Sequence, residues 1–131
     1  MTARTTDPAR HPAKAADALR TFNHATLPTR SGPGIAYPGT VYNTIGAMAT
    51  LAHRLPQALD HIALALADLH KAGHLTADHG TPTQHTTTAV TALRKAERLA
   101  EELTLALERA HAATGPLGYC GPMPEDDDDD L

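Results

Sequence analysis

The chain has 131 residues, 41% of them hydrophobic but only 3% aromatic, which suits one domain with an aliphatic core. A single cysteine excludes an internal disulfide and points to a reducing, cytoplasmic setting. The formal net charge of −4 is unevenly placed: residues 125–130 hold six of the 15 acids, and the first 30 residues are mildly basic.

Alanine and leucine far outnumber valine and isoleucine, which favours helix over sheet. The longest purely apolar run, residues 62–67, is too short to cross a bilayer. The opening MTARTTDPAR lacks the apolar stretch of a secretory leader.

Residues 1–11 are expected to form a disordered basic arm, and a first helix is expected from about Pro12 to Ala25. Ala15, Leu19, Phe22 and Thr26 mark one of its faces. The segment LPTRSGPGIAYPG is a loop; no strand precedes it and no lysine follows at phosphate-loop spacing.

From Thr40 the apolar positions are Val41, Ile45, Met48, Ala52, Leu55, Leu59, Ile62, Leu66 and Leu69. They alternate steps of four and three and pass Pro56 without a slip. An intervening loop would reset that phase, so the pattern predicts one rod kinked at Pro56 rather than two helices. His70 and Lys71 suit the negative end of its dipole, and Gly73 follows as a left-handed cap.

Thr81-Pro82-Thr83-Gln84 has the pattern of a capping box with proline at the first helical position. The seam that follows is Ala89, Leu93, Ala96, Ala100, Leu103, Leu107 and Ala110, and Gly115-Pro116 ends it. Two rods of matched length, each about 50 Å at 1.5 Å per residue, make an antiparallel hairpin in which residue i faces roughly residue 154 − i.

The fold class is therefore all-α. A long hairpin and a shorter N-terminal helix form a three-helix bundle over residues 12–115, and a disordered acidic tail fills 116–131. The short helix covers half of the hairpin, which leaves apolar surface over. Leu64 and Leu105 stand on the polar sides of their rods, beside Asp60 and Asp68 or beside Arg98 and Glu101, and mark an expected homodimer contact completing a four-helix bundle.

Residues 37–62, YPGTVYNTIGAMATLAHRLPQALDHI, resemble a pattern in small uncharacterised actinomycete proteins of the Streptomyces plasmid and integrative conjugative element type. Tyr37-Pro38, Val41-Tyr42, Gly46 and Leu55-Pro56-Gln57 carry the resemblance. It implies a helical cytoplasmic accessory protein encoded by a mobile element, with no functional residue to carry over.

Chemistry has few footholds. Four of the nine histidines, His70, His74, His79 and His85, surround the hairpin turn. Converging imidazoles suit Zn or Ni, although the spacing fits no defined zinc motif. Glu108 and His111 form an E-x-x-H element, but the facing positions Gly46 and Asn43 offer no carboxylate, so both are expected to be exposed. Ser31 and Cys120 lack a nearby base. In the last helix Arg94, Lys95, Arg98 and Arg109 are balanced by four glutamates, which leaves no basic stripe.

The leading expectation is a non-enzymatic protein acting by helix–helix contact, with itself or with another helical protein. The alternatives are a metal-binding protein using the turn histidines, or a weak DNA-associated regulator acting through the basic arm.

Overall fold

The computed structural model describes residues 7–29, 32 and 34–123. The start of the basic arm and the acidic tail from residue 124, both expected to be disordered, lie outside the described residues. The chain is all-α, with α1 (Arg10–Ala25), α2 (Pro38–Lys71) and α3 (Pro82–Thr114). It divides into two compact units that meet at Tyr37 and Pro38, and each is described by itself.

In the first unit, α1 starts two residues earlier than the expected Pro12. The Asp7 carboxylate accepts the Ala9 N–H at 3.0 Å and steadies the entry. Pro12 falls in the first turn, where its missing donor has no intrahelical partner to lose. Only Leu19 and Phe22 of α1 escape full exposure. With Thr26, whose hydroxyl donates to the Phe22 carbonyl at 2.8 Å, they hold three of the four positions of the face that the spacing predicts; Ala15, the fourth, is exposed.

The second unit is the antiparallel hairpin of α2 and α3, which pack along their length. The 34 residues of α2 run unbroken through Pro56, and the 33 of α3 match them. α2 ends in a Schellman motif. Gly73 is left-handed at φ 74°, its N–H reaches the His70 carbonyl, and the His74 N–H reaches that of Leu69, each at 3.0 Å.

α3 opens on the expected capping box. The Gln84 N–H donates to Thr81 Oγ1 and the Thr81 N–H to Gln84 Oε1, both at 3.1 Å. It stops without a left-handed cap, because Gly115 keeps φ −55°. Pro116, which has no N–H to offer, ends the ladder instead.

Three cross-helix contacts fix the register. Arg94 bonds Asp60, His70 bonds Thr83 and Tyr42 stacks on His111, so that paired numbers sum to 153 or 154.

The seam itself departs from the seven-residue pattern. On α2 the stripe begins as expected but then takes Ala63 and His70, while Ile62 and Leu69 turn outward. On α3 it takes Thr104 and His111, leaving Leu103 and Ala110 outside.

The inward residues recur every 11 positions, as Val41, Ala52 and Ala63 on α2 and as Ala89, Ala100 and His111 on α3. An α-helix drifts about 20° per heptad against a 3.5-residue repeat. After three heptads Ile62 has rotated about 60° away from the face that Val41 occupies. Eleven residues close three turns, so that spacing holds the seam.

The resulting core is thin. Among the described residues, the buried ones are Ala52, Ala63, Thr86, Ala100 and Thr104, with no larger side chain fully buried. Thr104 satisfies its hydroxyl on the Ala100 carbonyl at 2.8 Å.

Candidate interaction face

The drift that rotates leucines out of the seam gathers them on one side of the hairpin. Ile62 is 53% exposed, Leu69 45%, Leu99 51% and Leu103 47%. At 100° per residue, Leu51, Leu55, Ile62 and Leu69 share one flank of α2, and Leu99 and Leu103 share the flank of α3 that follows Ala96. The register joins the two flanks. Leu51 lies level with Leu103, Leu55 with Leu99 and Ile62 with Ala92, each pair summing to 154. These positions form a continuous apolar face across both rods.

The opposite side is polar. Arg94 bridges the rods there, donating from Nη1 to Asp60 on α2 and, at 2.9 Å, to Glu97 one turn along α3. The hydrogen bonds to Asp60 and then Glu97 raise the Arg94 pKa above its ordinary value, so the guanidinium stays charged. Both groups are more than a third exposed, and their role is to fix register rather than to add much stability.

Leu64 and Leu105 stand on this polar side, as the sequence indicates, and both are exposed. Leu64 follows Asp60 by one turn; Leu105 follows Arg94, Arg98 and Glu101 along one stripe. The register places Leu64 level with residue 90, fifteen residues from Leu105, about 22 Å along the rod. The two leucines therefore do not join into one patch.

At the turn, the structure brings two of the four histidines together. The His85 ring lies edge-on to His79 with centroids 4.9 Å apart, and its Nε2–H donates to the His79 carbonyl at 2.7 Å. They line a groove of about 380 Å³ with Leu66, Leu75, Asp78 and Thr86. His70 turns to Thr83 Oγ1 at 3.0 Å, and His74 serves the helix cap through its backbone. Among the described residues, no three His, Cys, Asp or Glu side chains are grouped to hold a metal ion.

At the other end, sequence reasoning misplaced one residue. His111, expected to be exposed, is half-buried and stacks on Tyr42 at 4.0 Å with 19° between the rings. Gly46 makes room for it, since a Cβ there would lie 2.9 Å from His111 Nε2. The 11-residue spacing from Ala89 and Ala100 is the signal that would have found it.

Cys120 is a free, exposed thiol, and among the described residues no helix is long and apolar enough to cross a membrane. Comparison with protein-family models, curated proteins and solved structures finds no match to this chain.

Proposed function

We propose that this protein is a non-enzymatic helical interaction protein whose working surface is the apolar face of the hairpin, and that a second copy occupies it to complete a four-helix bundle. The observation that carries this reading is the imbalance within the hairpin. Its seam buries only alanine and threonine, while four large aliphatic side chains stand about half in water on one face. A two-layer hairpin cannot cover its own apolar flank, and bundles of four helices solve that problem with this kind of surface.

The size and energy of the face suit a dimer. It runs about 40 Å, from the level of Leu69 to that of Ala110, and is two helices or about 20 Å wide. That gives roughly 800 Å² per copy, the usual area of a specific interface. Burying the exposed half of Ile62, Leu69, Leu99 and Leu103 is worth about 1 kcal/mol each, or about 8 kcal/mol per dimer. The half-buried Leu51, Leu55 and Leu66 add about 3 kcal/mol. After at least about 4 kcal/mol for lost rigid-body freedom, about 7 kcal/mol remains, a Kd of about 10 μM.

Sedimentation equilibrium on the full chain tests this. The expected result is a monomer–dimer equilibrium centred near that concentration. A single monomeric species at concentrations tenfold higher refutes the proposal.

A further inference from the structure

We infer that the second copy docks antiparallel, with the two hairpin turns at opposite ends and the two-fold axis crossing the face at the level of Leu55 and Leu99. The inference rests on the reading that the occupant is a second copy, and it adds the orientation and the residues that set it.

The apolar face is not uniform. Its leucines concentrate at one level, where Leu51 and Leu55 on α2 neighbour Leu103 and Leu99 on α3. An axis through Leu55 and Leu99 places each of these two against its own counterpart, at the centre of the contact. Along α2 it sets Ile62 of one copy level with Met48 of the other. Along α3 it sets Leu103 within one residue of the level of the partner's Ala96, so that a large side chain meets a small one.

The rim charges fit the same axis. Lys95 and Glu102 are both exposed and seven residues apart on one stripe of α3, and they flank Leu99 by four residues and by three. A two-fold at Leu99 brings Lys95 of each copy within one residue of the level of Glu102 of the other. Two opposite-charge pairs form, one on each side of the axis. Arg54, on the rim of α2, comes near its own counterpart and is the single like-charge approach. It is exposed and long, and solvent screens it.

The test uses the full chain with Cys120→Ser as background, so that the introduced thiol is the only one. Leu99→Cys is expected to form a disulfide-linked dimer under mild oxidation, because each thiol faces its own counterpart across the axis. Leu103→Cys is expected to stay unlinked, because its counterpart lies eight residues away in level, about 12 Å. Separately, K95E alone and E102K alone each set like charges against each other twice and should weaken the dimer roughly tenfold. An equimolar mixture of the two should recover wild-type affinity, since the mixed dimer holds two opposite-charge pairs.

Sedimentation of the same samples separates the failures. A dimer in which Leu99→Cys does not link, or links no faster than Leu103→Cys, overturns the antiparallel axis and leaves the interaction reading standing. A mixture no tighter than its components overturns the rim pairing. A monomer overturns both the orientation and the proposed function.

Discussion

Replacing Pro56 with alanine should stabilise this protein. Pro56 stands near the middle of α2, and the helix continues on both sides of it. Its ring cannot supply the N–H that the Ala52 carbonyl would otherwise accept, and proline in a helix interior costs about 3 kcal/mol relative to alanine. The opposing loss is packing. Pro56 is half-buried, and the substitution removes two methylenes. At about 0.8 kcal/mol for each fully buried methylene, half burial makes that loss about 0.8 kcal/mol.

The net gain is about 2 kcal/mol, which for a chain of this size raises Tm by about 8 °C. Thermal melts followed by helical circular dichroism, at one fixed protein concentration because association shifts Tm, measure it directly. An unchanged urea m-value would show that the unfolding unit is the same. A fall in Tm would refute the reasoning, because it would mean that the packing of α2 on α3 depends on the shape proline imposes.

Two further substitutions probe the local structure. Thr81→Ala removes the acceptor for the Gln84 N–H and should lower the stability read from urea melts by about 1 kcal/mol, while Thr81→Ser restores most of it; no change would mean that the box does not hold α3. Gly46→Ala sets a helix-propensity gain of about 1 kcal/mol against displacement of His111 from Tyr42, so it should be nearly neutral alone. In a His111→Ala background the same change should stabilise by about 1 kcal/mol, and a double-mutant cycle with no coupling would contradict the contact.

Much of the architecture was legible because local chemistry and periodicity agree. Thr81 and Gln84 announce a helix start, Gly73 a stop, and the phase kept across Pro56 a single rod. The register followed from matched lengths, and Asp60–Arg94, His70–Thr83 and Tyr42–His111 all obey it.

The seam was less legible. Steps of four and three generate both a 7-residue and an 11-residue repeat, and the two coincide for the first two turns of each rod. They part company only farther along, where Ala63 replaces Ile62 and Thr104 replaces Leu103. A hydrophobicity template prefers the leucine, whereas two backbones in close approach prefer the alanine or threonine. That preference decides which side of the hairpin carries the apolar face. Leu64 and Leu105, singled out for standing among charges, lie about 22 Å apart along the rods; the connected surface comes from Leu55, Ile62, Leu69 and Leu103, which the seven-residue pattern had assigned to the interior, together with Leu51 and Leu99 beside them.

The most direct test of the central claim compares one aspartate on each side of the hairpin. Leu99→Asp places a charge in the middle of the apolar face and should weaken self-association roughly 100-fold, because an unpaired polar group is buried once in each copy. Leu105→Asp, on the polar side, should leave the association constant unchanged within error. Equal effects of the two variants, or loss of the dimer only with Leu105→Asp, would contradict the claim that the protein works through the face where Leu99 lies.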